Sequence, residues 1–139
     1  MPISRDQARD VAKAFLDVSH DLGSYRFAHW ARLTPAQRRQ IEDAEWDLLN
    51  DSSSFITTAV GITLNDMEAD LKAIREATAL AGKVVATIKK AREVIQVAAA
   101  MVAFGGAIAS RNPSAIADAA CDLSGLAEGV IDRQGKGRV

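Results

Sequence analysis

The sequence predicts an all-α protein, an antiparallel helical bundle of about four helices with an elongated third helix. Ala, the best intrinsic helix former, is the commonest residue, with 26 copies among 139 residues. Apolar residues recur every three or four positions over long stretches, as they do on one face of a helix. The alternation of β-branched residues that is typical of strands is missing. A chain of this length fits one domain, which we place at residues 1–131.

The first helix is predicted to begin after Ser4, because Ser4 and Gln7 have the spacing of a capping box. An apolar stripe with helical spacing follows at Ala8, Val11, Ala12, Phe15 and Val18. We expect the helix to end near Gly23, since Gly is the usual residue after a helix C-terminus. The next segment, 24–33, is short, aromatic and cationic, and is expected to form one or two helical turns.

The second helix is predicted to begin at Thr34, with Pro35 in the first helical position and Gln37 completing a capping box. Its apolar stripe consists of Ile41, Ala44, Leu48, Phe55 and Ala59, and leads toward Gly61. The polar run Asn50–Ser54 favours a kink or break, because such side chains compete for backbone hydrogen bonds.

The third helix is predicted to open at Asn65 and Glu68 and to continue to Gly105–Gly106 or to Ser110. Thr78 and Arg92 interrupt its apolar seam, which has the three–four spacing of a coiled coil at Leu64, Met67, Leu71, Ile74, Ala81, Val85, Ile88, Ile95 and Val102. About 40 residues would give a helix roughly 60 Å long, longer than a domain of this size. The helix must therefore bend or protrude.

The fourth helix is predicted to start at Asn112, with Pro113 in the first helical position. Its stripe consists of Ile116, Ala120, Leu123, Ala127 and Val130. Residues 132–139 are polar with two glycines and are expected to form a disordered tail. Short linkers favour antiparallel neighbours.

The segment Val94–Ala109 is the most unusual part of the sequence, because Gln96 is its only polar side chain. Its large apolar residues cluster on one helical face at Val94, Val97, Met101, Phe104 and Ile108. Three interpretations are open: the segment is the central helix of the chain's own bundle, it associates with a second copy or another helical protein, or it is membrane-active. The predicted fourth helix is short and rich in Ala, so it can cover only part of the apolar surface of this segment. This favours association of the segment with a second copy or another helical protein.

A membrane span is the less favoured interpretation of this segment. Sixteen residues reach about 24 Å, short of the roughly 30 Å hydrocarbon core. A longer span would include Arg92 and Glu93, or Arg111, and each charge costs about 2.5–3.5 kcal/mol on the insertion scale. One subunit of a helical pore-forming assembly stays as the alternative function.

A second candidate interaction cluster combines aromatic and cationic residues at Tyr25, Arg26, Phe27, Trp30 and Arg32. Aromatic residues and Arg are enriched in protein-binding hot spots, but Phe27 and Trp30 could also close one end of the bundle. A third interpretation of this cluster is nucleic-acid binding, in which the aromatic rings stack on bases and the cations contact phosphates. The net charge of −1 gives no field to attract nucleic acid, so no nucleic-acid partner is expected.

The sequence offers little for catalysis, so we predict no enzyme, no cofactor and no metal site. His20 and His29 do not form a helix-borne metal motif. Cys121, the single cysteine, lies beside the stripe residue Ala120 and is predicted to be packed and inert. The charged N-terminal segment lacks the apolar core of a signal peptide, which predicts a cytoplasmic protein, with export by another route still open.

The function predicted from sequence is therefore non-enzymatic helical assembly through the apolar segment of the third helix, with a second copy or another helical protein as the partner.

Overall fold

The computed structural model describes residues 3–57, 62 and 64–136, with side chains as far as Arg133. This part of the chain is all-helical and contains no strand, as predicted. Its elements are α1 (Arg5–Ala28), a short 3-10 turn (Trp30–Arg32), α2 (Pro35–Thr57), α3 (Met67–Thr87), α4 (Ala91–Ala109) and α5 (Pro113–Lys136). The described residues thus form five helices, and the predicted count of about four is wrong because the elongated third helix is two helices.

Local capping signals correctly place the starts of α1, α2 and α5, whereas α3 is capped by Asp66 and not by the predicted Asn65. Ser4 Oγ accepts a hydrogen bond from the Gln7 amide at 3.1 Å, and the Ser4 amide donates to Gln7 Oε1 at 2.8 Å. Thr34 and Gln37 make the same reciprocal pair, at 3.1 and 3.0 Å. Asn112 Oδ1 accepts from the first turn of α5, as expected. These side chains satisfy amides that have no partner within their helix.

Two predicted local features are corrected by contacts between helices. Gly23 does not end the first helix, which continues to Ala28. Instead it is a position of close approach, because a Cβ there would lie 2.8 Å from Glu45 Oε1 of α2. The predicted kink or break at Asn50–Ser54 does not interrupt the helix, and α2 runs through this segment. Ser52 Oγ bonds outward to the Ala12 carbonyl oxygen of α1 at 2.7 Å, and so does not open its own helix.

The break between α3 and α4 occurs at residues 88–90, where neither Gly nor Pro is present. Ile88 and Lys90 have extended backbone angles, with ψ of 133° and 115°. The Ile88 side chain is buried, and the Tyr25 hydroxyl donates to the Lys89 carbonyl oxygen at 2.7 Å. Tertiary contacts therefore stabilise a break in a segment whose local pattern would continue a helix.

The break also changes the register of the buried face. The core positions of α4 include Val94, Val97 and Met101, whereas the predicted seam residues Ile95 and Val102 are only half-buried. The seam of α3 agrees better with the prediction, since Leu71, Ile74, Ala81 and Val85 are all buried.

Contacts between helices give their relative directions. Ser19 Oγ donates to the Glu45 carbonyl oxygen at 2.8 Å, while Ser52 contacts Ala12, so α1 and α2 are antiparallel. The α3 residue Arg75 lies 3.6 Å from Asp10, and its later residue Gly82 lies beside Asp21, so α3 runs in the direction of α1.

The directions of the remaining two helices, α4 and α5, also alternate along the chain. Gly105 of α4 lies against Asp51, and Ile108 lies beside Phe55, so α4 runs in the direction of α2. Arg133 near the end of α5 pairs with Glu93 at 3.9 Å, which makes α4 and α5 antiparallel. The principal packing joins the helices in a ring of order α1, α2, α4, α5 and α3, which closes on α1.

The centre of the core contains three phenylalanine rings from three helices. The Phe15 ring lies 5.0 Å from the Phe55 ring in an edge-to-face arrangement, and 5.7 Å from the Phe104 ring. One continuous buried apolar cluster surrounds them and reaches all five helices. This cluster determines which faces of the helices are left to solvent.

The end of the chain differs in part from the predicted tail. Helix α5 extends to Lys136, five residues into the segment 132–139. The ion pair of Arg133 with Glu93 gives this end of the helix a contact with α4. The remaining tail residues, 137–139, the predicted α2 stripe residue Ala59 and the predicted end of that helix near Gly61 lie outside the described residues.

Candidate interaction surface

The apolar segment predicted as the interface lies in the core of a single chain. Its five candidate residues are fully covered, each with at most 1% of its surface exposed: Val94, Val97, Met101, Phe104 and Ile108. Helices α2 and α5 pack on α4, and the ring of Phe15 from α1 contacts Phe104. Because α5 is 24 residues long and α3 is a separate helix, the chain supplies the cover that the sequence seemed to lack. These five residues are therefore unavailable to a partner in the folded protein.

The outward side of α4 presents only small or polar groups. Its exposed residues are Arg92, Gln96, Ala99, Ala103, Gly106 and Ala109. Among the described residues α4 is the one helix whose length and composition would allow a membrane span, with a mean hydropathy of 1.4 over its apolar window. A core helix meets the same criteria, and the large side chains of α4 face inward.

The second predicted cluster is divided by the structure into buried and exposed members. Tyr25 is buried, bonds to Lys89 and stacks on His29 with ring centroids 4.2 Å apart, so it is a structural residue and not part of a surface. Trp30 is 44% exposed and Arg32 is also exposed. Phe27 is 70% exposed, so it does not close the end of the bundle.

The large exposed apolar residues are confined to one region of the molecule. In the described part of the chain they are Phe27, Trp30, Trp46, Leu49 and Ile56. All five belong to α1, α2 or the turn between them. We call the outward side of these two helices the outer α1–α2 face, and its helical positions are Leu16, His20, Gly23, Phe27, Trp46, Leu49, Ser53 and Ile56. Three of its exposed residues, Trp46, Leu49 and Ile56, were missed by sequence reasoning, although their spacing with Ser53 is three, four and three.

A groove of about 630 Å³ lies along this face between the two helices. Its walls are formed by Ser19, His20, Gly23, Ser24, Arg26, Phe27, Glu42, Glu45, Trp46 and Leu49. Exposed apolar rings thus stand beside polar groups, a composition typical of protein-binding surfaces.

An ion-pair network forms the floor of the groove. Arg26 Nε donates to Glu45 Oε2 at 2.7 Å, and a second guanidinium nitrogen lies 3.6 Å from Glu42 Oε2. The hydrogen bonds that Arg26 donates to Glu45, opposed in part by desolvation, hold the pKa of Arg26 above its usual value. The absence of a side chain at Gly23 gives the Glu45 carboxylate the room to reach Arg26. The predicted residue Arg26 is therefore largely occupied within the fold.

The end of the groove near the interhelical turn is held by cation–π contacts. The Arg26 guanidinium carbon lies 4.7 Å from the centre of the Phe27 ring. The Arg38 guanidinium carbon lies 4.3 Å from the centre of the Trp30 ring, and Nε and Nη2 of Arg38 donate hydrogen bonds to the Trp30 carbonyl oxygen. These contacts hold two exposed rings in place before any partner binds, which lowers the entropy cost of association.

The residues that the sequence analysis considered for chemistry are His20, His29 and Cys121. No set of three His, Cys, Asp or Glu side chains in the described part of the chain could hold a metal ion. His29 Nδ1 lies 3.1 Å from the Tyr25 carbonyl oxygen. Cys121 is exposed, so its predicted packing is wrong: it lies one residue beyond the buried Ala120, on the outward side of α5.

Comparison with protein-family models, with curated proteins and with solved structures found no match. The functional argument therefore depends on the surface itself, because a helical bundle hosts many unrelated functions.

Proposed function

We propose that this chain is a non-enzymatic helical protein that works by associating with protein helices through the outer α1–α2 face. The observation that supports this most directly is the confinement of all five large exposed apolar residues of the described chain to α1, α2 and their turn. Contiguous exposed apolar patches on soluble proteins commonly mark interaction sites. Trp, which occurs here twice, is among the residues most enriched in binding hot spots.

The shape of the face suits a helix as the ligand. Two antiparallel helices with exposed apolar residues at helical spacing form a groove, and an amphipathic helix can lay its apolar side in such a groove. The partner is a second copy of this chain or another helical protein. The single cysteine, an exposed thiol, is consistent with a reducing compartment such as the cytoplasm.

Binding of the apolar fluorophore ANS tests whether this face is an accessible binding surface. We expect the folded wild-type protein to bind ANS and the double variant Trp46→Ser/Leu49→Ser to lose most of the fluorescence. The double variant should keep a cooperative thermal melt in circular dichroism, because neither side chain belongs to the buried core. Ala99→Ser, on the exposed side of α4, is the control and should bind ANS like the wild type. Equal fluorescence from the double variant, or none from the wild type, would contradict the proposal.

A membrane-active protein, or one subunit of a helical pore-forming assembly, stays as the alternative function, and the apolarity of α4 over its 19 residues favours it. Insertion would require α4 to leave the core and expose residues such as Met101 and Phe104. Dye release from vesicles of phosphatidylcholine and phosphatidylglycerol tests this. Absence of both vesicle binding and leakage would remove the alternative.

A further inference from the structure

We propose that one end of the bundle, where α1, α3 and α5 finish and α2 and α4 begin, binds a lipid surface rich in anionic headgroups while all five helices stay folded. We call it the basic end and define it by five exposed cations: Arg32, Lys89, Lys90, Arg92 and Arg133. None of these residues belongs to the outer α1–α2 face. The inference therefore goes beyond the proposed function and does not depend on it.

Two of the five cations lie beside the end of α1. Arg32 belongs to the 3-10 turn that follows this helix. Lys89 lies in the break between α3 and α4, and its carbonyl oxygen accepts a hydrogen bond at 2.7 Å from the hydroxyl of Tyr25, near the end of α1. The break thus holds Lys89 at the level of the end of α1.

The other three cations lie where α4 begins and α5 ends. Lys90, Arg92 and Arg133 line one groove of about 820 Å³. Among the residues that line this groove, Glu93 is the one carboxylate, and it pairs with Arg133 at 3.9 Å. Because α4 starts directly after the break, all five cations lie at about the same level along the bundle axis. A flat surface that meets this end can therefore contact all of them at once.

Charge is distributed unevenly along the bundle, although the whole chain has a net charge of −1. In the described part of the chain, the basic end holds nine Lys or Arg residues and three carboxylates, counted over residues 22–42, 82–98 and 129–133. The opposite end holds four and seven, counted over residues 5–12, 50–57, 64–74 and 102–120. The net charge therefore conceals an excess of cations at one end, and such a local excess attracts anionic surfaces.

The cations of the basic end are mostly free to bind an external anion. Among the described residues, no carboxylate lies at ion-pair distance from four of them: Arg32, Lys89, Lys90 and Arg92. Arg133 has a long ion pair with Glu93, and its side chain stays 58% exposed. Clusters of about four to eight Lys or Arg residues are typical of surfaces that bind anionic lipids.

The aromatic residues near this end favour a lipid surface over a nucleic acid. Trp30, in the same turn as Arg32, is 44% exposed, and Trp is enriched at the level of lipid headgroups. The Arg38 guanidinium already lies 4.3 Å from the centre of the Trp30 ring, and that of Arg26 lies 4.7 Å from the Phe27 ring. Binding of single-stranded nucleic acid uses ring faces on which bases stack. These contacts reduce the ring area left for bases, whereas Trp30 can enter a headgroup layer with them intact.

Co-sedimentation of the full-length chain with vesicles tests the proposal. We expect binding to vesicles of phosphatidylcholine and phosphatidylglycerol, none to phosphatidylcholine alone, and weaker binding as salt is added, because salt screens the attraction. Lys89→Gln/Lys90→Gln should weaken binding by at least about tenfold, since each cation near an anionic surface contributes a factor of about five, or about 1 kcal/mol. Dye enclosed in the vesicles should not be released, because α4 stays in the core.

Arg9→Gln/Lys72→Gln is the matched control, since it removes the same two charges from exposed residues at the opposite end. It should bind the vesicles like the wild type, and circular dichroism melts should show that both double variants are folded. Trp46→Ser/Leu49→Ser should also bind like the wild type, which separates this inference from the proposed function.

Four results would overturn the proposal. A wild type that does not bind the anionic vesicles would do so, and so would equal losses in both charge variants, because net charge and not the basic end would then attract the lipid. Release of the dye would show that α4 leaves the core and inserts. Binding of a single-stranded thymidine oligonucleotide in place of the vesicles would assign the basic end to nucleic acid.

Discussion

Asp51 provides a quantitative test of how α2 packs against α4. Its half-buried carboxylate occupies the space beside Gly105, where any Cβ would overlap it. Burial, and to a smaller extent the charge of Asp47 one turn earlier, raises the pKa of Asp51 from 3.8 to about 6. We therefore expect Asp51→Asn, which keeps the shape and removes the charge, to stabilise the protein at neutral pH.

The sign and size of the effect follow from proton linkage. A raised pKa means that the folded state binds the proton more tightly than the unfolded chain, so Asp51 lowers the stability as pH rises from about 4 to about 6. Each pKa unit corresponds to about 1.4 kcal/mol, which would give ~3 kcal/mol for a fully buried group. Since the side chain is only half-buried and is screened by water, we expect ~1 kcal/mol.

Urea unfolding at pH 7.5 and pH 4 measures this difference directly. Asp51→Asn should be more stable than the wild type by ~1 kcal/mol at pH 7.5, and the advantage should shrink toward zero at pH 4. Asp43→Asn is the control, because Asp43 is an exposed carboxylate of the same helix. A variant that is destabilised at pH 7.5, or whose advantage is the same at both pH values, would refute the assignment of a buried, charge-disfavouring site to Asp51.

Two further predictions test the break between α3 and α4 and the location of the α4 residues. Tyr25→Phe removes the hydroxyl that donates to Lys89, and should cost about 1 kcal/mol of stability and speed amide hydrogen exchange at Lys90. Unchanged exchange there would show that this bond does not hold the break. Val97→Asp places a charge in the core and should abolish cooperative melting in circular dichroism. A folded Val97→Asp protein of lower mass would instead restore α4 as an interface.

The parts of the fold that sequence could predict are those whose physical causes are local. The caps at Ser4, Thr34 and Asn112 each depend on residues two or three positions away, and each is present. The break after α3 depends on Tyr25, which is 64 residues from Lys89. A pattern read within one helix contains no information on such a contact, so the segment was predicted to be one long helix.

The same distinction explains the outcome for the two predicted sites. Helical periodicity correctly grouped Val94, Val97 and Met101 on one face that must be covered. It could not tell whether the cover comes from the same chain, because that depends on the length of α5 and the position of α1. For the aromatic cluster, sequence identified Trp30 as a surface candidate but could not separate it from Tyr25, whose hydroxyl finds a distant carbonyl.

The fold itself gives no reason for the exposed rings on α1 and α2. Each of these helices already buries a complete core stripe, with Phe15 and Leu22 on one and Leu48 and Phe55 on the other fully covered. Trp46 is 59% exposed, so most of its apolar ring area lies in solvent and contributes nothing to the stability of the bundle. A residue that contributes little to folding and yet adds exposed apolar area is a cost to solubility unless something binds it. The exposed rings on α1 and α2 therefore support the proposed association, because the stability of the bundle does not require them.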